Sequence, residues 1–178
     1  MFLRNFWYVA AYDHEVGREP MGRTILGEPI VFFRKEDGAP VALENRCAHR
    51  HLPLSMGKLV GDHLQCHYHG LRYDSTGQCV KVPGQNAIPP SARVKTYPVI
   101  ERYHWLWIWM GDPALADPDK ITDFHWLDDP NWGAKGSYLH AKPTGNLSST
   151  ICSISPIWLL CTSPRLAMRH SSRTLPSR

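Results

Sequence analysis

Signals for secretion or membrane insertion are missing from this chain of 178 residues. The sequence does not open with a basic segment followed by a long apolar core. Its longest apolar-leaning stretch, residues 151–161, is interrupted by two serines and a proline and is too short to span a bilayer. Cysteine is scarce, and Cys79, Cys152 and Cys161 show no pairing pattern of a secreted disulfide framework. These absences predict a cytoplasmic protein without a membrane segment.

Motifs of several large enzyme classes are also missing. The chain has no glycine-rich phosphate loop, no nucleophile elbow and no paired-carboxylate site, so nothing supports nucleotide or hydrolase chemistry. Residues 137–178 contain five basic residues and no acidic residue, which leaves 15 basic and 16 acidic residues in residues 1–136, a net charge of −1. No basic stripe interleaved with aromatics occurs there, and nucleic-acid binding is not expected.

Two cysteines and two histidines form the most informative pattern that is present. Cys47-Ala-His49 is followed, after sixteen residues, by Cys66-His-Tyr-His69, so each half offers one thiolate and one imidazole. Such a set satisfies tetrahedral zinc, but zinc sites usually pair Cys with Cys and His with His at wider steps. The order and spacing resemble those of a Rieske iron–sulfur centre instead.

The resemblance implies a role for each of the four residues. In a Rieske 2Fe–2S centre two thiolates hold one iron and two imidazoles hold the other, which raises the potential to about −150 to +300 mV, against about −400 mV for plant-type clusters. Cys47 and Cys66 are thus expected to bind the inner iron, and His49 and His69 the outer iron. The two loops have to close over the cluster from opposite sides.

The flanking sequence indicates which group of Rieske proteins the chain resembles. Residues 47–85, with residues 5–10 (NFWYVA) and 107–112 (WIWMGD), resemble the oxygenase components of the vanillate and dicamba O-demethylase group of aromatic-ring oxygenases, over about residues 1–140. His51 departs from the glycine common in the family. The additional cysteines that tie the loops in respiratory Rieske proteins are absent, which predicts a potential near the bottom of the Rieske range, about −150 mV.

The resemblance also implies the wider system. Its members are monooxygenases or demethylases, usually homotrimers, that take electrons from an NADH-dependent flavin and iron–sulfur reductase and act on a substituted aromatic acid. A full-length relative carries a second, mononuclear Fe(II) site with two His and one carboxylate, whose open positions activate oxygen. No residue of this chain is assigned a catalytic role, and the chain alone is predicted to be inactive in oxygenation. The alternative is a stand-alone Rieske ferredoxin.

Short strands separated by turn residues predict an all-β fold. Two hairpins are expected around Lys35-Glu-Asp-Gly38 and Asp74-Ser-Thr-Gly77, because β-forming residues flank each turn. Residues 97–110 are expected to form one strand with apolar side chains on both faces. The expected architecture is a Rieske-type antiparallel β-sandwich with a cluster-binding subdomain of two loops. The predicted hairpin strands are residues 29–34 and 40–44, then 64–73 and 78–82.

The other histidines have no partner at a metal-ligand spacing, and hydrogen-bonded surface or core positions are expected for them. They are His14, His63, His104, His125 and His140. His67 lies between two proposed ligands and is expected on the surface.

The chain changes character after residue 140. Thirteen of its last 42 residues are Ser or Thr, and apolar periodicity is lost. Read one base out of register, the permitted codons of residues 143–162 allow Asp-x-x-His followed after four residues by His, which resembles the mononuclear-iron motif of the same oxygenases. We therefore interpret residues 1–113 as the Rieske domain and 114–140 as a linker and the start of a catalytic domain. Residues 141–178 are expected to be a poorly structured, out-of-frame tail.

Overall fold

The computed structural model describes residues 2–135 and the strand at 159–161. It divides into two units, Met1–Thr122 and Asp123–Arg178. Its regular elements are short β-strands and single turns of 3-10 helix. No helix in this described part has the length and hydropathy that a membrane crossing requires.

The strands follow one another with short connections. They are β1 (Phe6–Tyr12), β2 (Met21–Ile25), β3 (Glu28–Arg34), β4 (Pro40–Glu44), β5 (Lys58–Val60), β6 (His63–Gln65), β7 (Arg72–Tyr73), β8 (Cys79–Lys81), β9 (Thr96–Tyr97), β10 (Val99–Arg102), β11 (Trp105–Met110), β12 (Gly133–Lys135) and β13 (Leu159–Cys161).

All the sheets are antiparallel. The first has the strand order β1-β11-β10, the second β2-β3-β4-β9 and the third β5-β6-β7-β8, while β12 pairs with β13. The first sheet therefore joins the beginning of the described chain to residues about a hundred positions later. The second and third sheets are built from segments between them.

Two apolar clusters share the second sheet. In β3, Ile30 and Phe32 point into one cluster and Val31 and Phe33 into the other, as the period of two in a strand requires. The sandwich core, between the first and second sheets, includes Ala10, Ala11, Ile30, Phe32, Leu106, Ile108 and Met110. The loop core, between the second and third sheets, includes Val31, Phe33, Leu43, Cys47, Leu64, Cys66, Tyr73 and Cys79. The all-β sandwich prediction is confirmed.

The strand expected over residues 97–110 was wrong in its extent. The chain turns at Tyr103 and His104, whose φ angles of 58° and 61° lie in the left-handed region, so β10 and β11 form a hairpin. Asp13 helps to hold this turn, because its N–H donates to the His104 carbonyl at 3.0 Å and its carboxylate lies 3.2 Å from His104 Nδ1. Both faces of β11 are buried, as expected.

The other sequence expectations have mixed outcomes. β3 and β4 pair around the Lys35–Gly38 turn as predicted, and β7 and β8 pair around Asp74–Gly77. Residues 64–73 do not form one strand, because a loop separates β6 from β7. The predicted tail lies outside the described residues, apart from β13. His140 and the out-of-frame segment also lie outside them.

A half-buried carboxylate joins three distant segments of the first unit. Glu28 accepts hydrogen bonds from Tyr97 Oη at 2.6 Å, from Arg4 and from Lys95 Nζ at 3.0 Å. Burial alone would raise the pKa of Glu28, but these donors outweigh it and lower the pKa to about 2. The ionised carboxylate therefore contributes to stability.

This contribution should depend on pH. Because the pKa of Glu28 is lower in the folded state, its contribution is complete above the unfolded value of 4.5 and is lost as the pH falls towards about 2. We expect Glu28→Gln to lower the free energy of unfolding by about 2 kcal/mol at pH 7, after a discount for partial exposure, and by much less near pH 2. Denaturant titrations across this range test it, with exposed Glu19→Gln as the control. A difference that does not change with pH would contradict it.

Candidate metal centre

The first of the two ligand loops follows β4. The Cys47 N–H donates to the Leu52 carbonyl at 2.9 Å, and the His51 N–H donates to the Cys47 carbonyl at 2.8 Å. These two bonds close residues 47–52 into a compact turn. Cys47 is 2% exposed, whereas His49 lies on the surface.

The second loop joins β6 to β7 and repeats this pattern. The Cys66 N–H donates to the Leu71 carbonyl at 2.8 Å, and the Gly70 N–H donates to the Cys66 carbonyl at 3.1 Å. Cys66 is 2% exposed and His69 is on the surface. Both loops therefore place a cysteine in the loop core and an imidazole outside it.

The fourth residue after each cysteine is in the left-handed region. Gly70 has a φ of 74° and His51 a φ of 57°. Glycine adopts this conformation without steric cost, whereas a residue with a Cβ adopts it at a cost of about 1–2 kcal/mol. The departure of His51 from the glycine expected in the family thus falls at a position where the loop geometry favours glycine.

Glycine at position 51 should stabilise the chain. Glycine relieves the strain of the left-handed conformation, but it also raises the entropy of the unfolded state. Because the free energy gained from the first effect exceeds that lost through the second, we expect His51→Gly to raise the free energy of unfolding by about 0.5–1 kcal/mol. His67→Gly is the matched control, because His67 is an exposed histidine of the other loop whose φ is not positive. It should be destabilising. Equal effects of the two changes in denaturant unfolding would contradict this explanation.

The two thiols lie together in the loop core. Burial raises the pKa of the Cys66 thiol, and the neighbouring Cys47 side chain, with which it hydrogen bonds, raises it further. The backbone N–H groups of Tyr68 and His69 donate to the Cys66 sulfur and lower the pKa in part. A cation between the thiols would favour their ionised form, so this pair fits a metal better than it fits two free thiols.

The two imidazoles also lie together, at the surface. The ring centroids of His49 and His69 are 4.7 Å apart and their planes are inclined by 56°. The Tyr68 ring lies 3.8 Å from the His69 ring, with an angle of 32° between the planes. The loops thus present a thiol pair inside and an imidazole pair outside.

Tyr73 belongs to this candidate site and was not identified from the sequence. Its side chain is fully buried, and its hydroxyl lies 3.2 Å from Cys47 Sγ and accepts the Ala48 N–H at 3.1 Å. Burial, followed by the neighbouring Cys47 thiol, raises the pKa of Tyr73 well above its ordinary value. The hydroxyl therefore keeps its proton, which it can donate to the sulfur.

This hydrogen bond should raise the reduction potential of a cluster bound at Cys47. A reduced cluster carries more negative charge on its sulfur ligands, so an O–H donor stabilises it more than the oxidised form. Loss of one such bond, worth about 1 kcal/mol, corresponds to about 40 mV for one electron. We expect Tyr73→Phe to lower the potential by this amount in a spectroelectrochemical titration. Tyr68→Phe, which removes an exposed hydroxyl from the loop, should not change it.

The remaining histidines have other surroundings. His14 and His104 both contact the Asp13 carboxylate at 3.2 Å, and His125 contacts Asp123 at 2.9 Å. Among the residues that the structure describes, no group of three or more His, Cys, Asp or Glu side chains could hold a single metal ion. The four predicted ligands instead form two pairs, one of thiols and one of imidazoles.

Comparison with known proteins agrees with this arrangement. The family described as the Rieske [2Fe-2S] domain matches residues 6–98, which is more than half of the chain and contains both loops. The chain belongs to the Rieske domain family. The Rieske domain is a 2Fe–2S domain. A Rieske centre uses two Cys and two His ligands, so it fits the two thiols and two imidazoles of this site better than a zinc ion does.

Curated relatives of this Rieske domain are oxygenase components. It is 52% identical over 141 residues to the iron–sulfur subunit of the toluene-4-sulfonate monooxygenase system of Comamonas testosteroni, with 79% of this chain and 41% of that protein covered. It is 51% identical over 140 residues to the oxygenase component of dicamba O-demethylase of Stenotrophomonas maltophilia, with 78% and 41% covered. The chain thus spans about two fifths of these relatives and corresponds to their Rieske part.

A solved structure shows the same fold. The crystal structure of dicamba monooxygenase bound to dicamba superposes with a TM-score of 0.74 at 51% identity, and covers 77% of this chain and 41% of that chain. The Rieske domain described here therefore has the fold of the corresponding part of an oxygenase component. The predicted family and fold are confirmed.

Proposed function

We propose that this Rieske domain holds a 2Fe–2S cluster through Cys47, His49, Cys66 and His69. The observation that carries the proposal is the division of the four residues into a buried thiol pair and an exposed imidazole pair with ring centroids 4.7 Å apart. A single zinc ion needs its ligands around one point, whereas two irons need two pairs. When bound, the cluster supplies reversible one-electron transfer.

The chain's own residues have distinct parts in this function. Cys47 and Cys66 keep their sulfurs away from water, and the N–H groups of Tyr68 and His69 stabilise the negative charge on Cys66. Tyr73 stabilises the charge on Cys47. His49 and His69 are exposed and offer the route by which electrons leave the cluster.

We propose further that this domain belongs to the oxygenase component of a cytoplasmic aromatic-ring monooxygenase or O-demethylase. It would accept electrons from an NADH-dependent flavin and iron–sulfur reductase and pass them to a mononuclear Fe(II) site in a homotrimer of full-length chains. The support is the similarity to the dicamba and toluene-4-sulfonate systems. An aromatic acid is the proposed substrate class.

The second candidate is a stand-alone Rieske ferredoxin. Its support is that the family match, residues 6–98, needs no further domain to build both loops. Gene sequencing across codons 140–165 distinguishes the two proposals, since the oxygenase proposal requires the Asp-x-x-His motif in the other reading frame. It also tests our proposed division of the chain into residues 1–113, 114–140 and 141–178.

The cluster proposal is tested by anaerobic reconstitution of the purified chain. We expect two irons and two acid-labile sulfides per chain, with a reduced-state electron paramagnetic resonance signal of the Rieske type. One zinc per chain and no visible colour would refute the proposal.

A further inference from the structure

Three basic side chains form a row across the third sheet. Lys58 on β5 is opposite Gln65 on β6, Gln65 is opposite Arg72 on β7, and Arg72 is opposite Lys81 on β8. Residues in cross-strand register have their side chains on the same face, and the exposure of Lys81 places it on the outer face despite the β-bulge between Arg72 and Tyr73. Because neighbouring strands are about 4.8 Å apart, the basic row of Lys58, Arg72 and Lys81 extends over about 14 Å.

The row is accessible and partly fixed in place. Lys58 and Lys81 are exposed, while Gln65 and Arg72 are half-buried. Arg72 Nε donates to Gln65 Oε1 at 2.8 Å, which orients the guanidinium. The side chains stand side by side on a sheet and do not converge on a point. This geometry suits an extended acidic surface better than a single small anion.

No carboxylate balances the row within the described residues. Residues 46–95 contain seven Arg or Lys residues and only two acidic ones, Asp62 and Asp74. Asp62 pairs with Arg18 at 2.9 Å, and Asp74 accepts hydrogen bonds from Thr76 and Gln78 within its own turn. Of the seven cations only Lys95 has an ion pair there.

The cations of residues 2–45 have different surroundings. In residues 2–45 every Arg and Lys has a carboxylate partner among the described residues. They are Arg4, Arg18, Arg23, Arg34 and Lys35. Of the eight Arg and Lys residues in residues 2–122 that have no ion pair, six therefore lie in the segment that carries the two loops, and the other two are Arg102 and Lys120.

The row also lies close to the proposed cluster. The opposite face of the third sheet carries Leu64, Tyr73 and Cys79, which belong to the loop core. Arg72 is adjacent in sequence to Tyr73, whose hydroxyl contacts Cys47 Sγ at 3.2 Å. A protein docked on the row would thus be separated from the cysteine ligands by a single layer of sheet.

We propose that the basic row is the docking surface for an acidic protein that donates electrons to this domain. The proposal rests on the electron-carrier function proposed above. The donor, an iron–sulfur protein of the ferredoxin type, is oxidised by one electron and the domain is reduced by one, and no bond is made or broken. Charge complementarity speeds such encounters about 10- to 1000-fold at low salt.

The test measures the rate of reduction of the reconstituted chain by a reduced plant-type 2Fe–2S ferredoxin, which is acidic and has a lower potential than Rieske centres. In stopped-flow experiments at about 20 mM salt, the triple variant Lys58→Gln, Arg72→Gln, Lys81→Gln should react about tenfold more slowly than the wild type. The difference should nearly vanish at about 0.5 M salt. A second triple variant keeps the charges and should react as fast as the wild type. It is Lys58→Arg, Arg72→Lys, Lys81→Arg.

The matched control removes the same charge elsewhere. The control is the triple variant Lys35→Gln, Arg102→Gln, Lys120→Gln. Its rate of reduction by ferredoxin should differ less than twofold from that of the wild type. Equal slowing by the two neutralised triple variants, or no slowing, would overturn the proposal. The proposal would also be overturned if the substitutions in the row changed the oligomeric state of the chain in solution. Tighter binding of a short DNA oligonucleotide than of the ferredoxin to the row would overturn it as well.

Failure of the docking proposal is distinguishable from failure of the cluster proposal. If the chain held no 2Fe–2S cluster, the wild type itself would lack the Rieske signal and could not be reduced. If only the docking proposal fails, the wild type and every variant keep the same signal and the same potential, and the row variant is slowed no more than the control variant.

Discussion

Cys47→Ala is expected to yield a chain without a bound cluster. Cys47 and Cys66 are the two buried thiols proposed for one iron, and alanine leaves that iron with a single protein ligand. The loss should be complete, from two irons per chain to about none after reconstitution. Water cannot take the place of the missing thiolate in an apolar core. Iron and sulfide analysis with the visible spectrum measures it.

The third buried cysteine provides the matched control for this change. Cys79 is 3% exposed, belongs to the same loop core and has a pKa raised by burial, but it donates to the Lys81 carbonyl at 3.4 Å. Cys79→Ala should therefore cost stability while the cluster remains at two irons per chain. If both variants lose their iron alike, the loss reflects the packing of the core and the assignment of Cys47 is refuted.

Replacing both imidazoles by thiolates should lower the reduction potential by about 250 mV. In the double variant His49→Cys, His69→Cys all four proposed ligands are thiolates, whose negative charge stabilises the oxidised irons, so the potential moves from about −150 mV towards the −400 mV of plant-type clusters. The two positions are close enough for paired ligands, since the ring centroids are 4.7 Å apart. A redox titration of the reconstituted variant measures the shift.

The same loops offer a control of the same composition. His51 and His67 are exposed histidines that the proposal does not use, so His51→Cys, His67→Cys should keep the potential of the wild type. A potential that is unchanged in the first double variant, or lowered as much in the second, would show that the outer iron is not held by His49 and His69.

Local sequence information was sufficient to find the two cysteines and two histidines that the structure brings together, and to find the tight turns. Cys47 and His49 are two positions apart, and the Lys35–Gly38 turn lies between two strongly β-forming segments, so neither depends on distant parts of the chain. The same reasoning failed for residues 97–110. There Tyr103 and His104 adopt a left-handed turn without the glycine that normally marks it, and Asp13, some ninety residues away, helps to hold it.

Tyr73 and the basic row could not be predicted from the sequence, because both depend on strand register. Tyr73 reaches Cys47 only because β7 lies beside β6 with its inward face towards the loop core. Lys58 and Lys81 are distant in sequence and become neighbours of Arg72 only through the pairing of four short strands. A linear search for clustered basic residues therefore finds nothing there.

The pairing of β1 with β11 has a consequence for synthesis on the ribosome. Phe6 pairs with Met110, so the first sheet cannot close until more than a hundred further residues have been made. At about 5–20 residues per second, this takes about 5–20 seconds. Cys47, Cys66 and Cys79 are all synthesised within that interval, before the sandwich core is complete. These cysteines are thus made before the fold that buries them is complete, and their oxidation at this stage would compete with assembly of the metal centre.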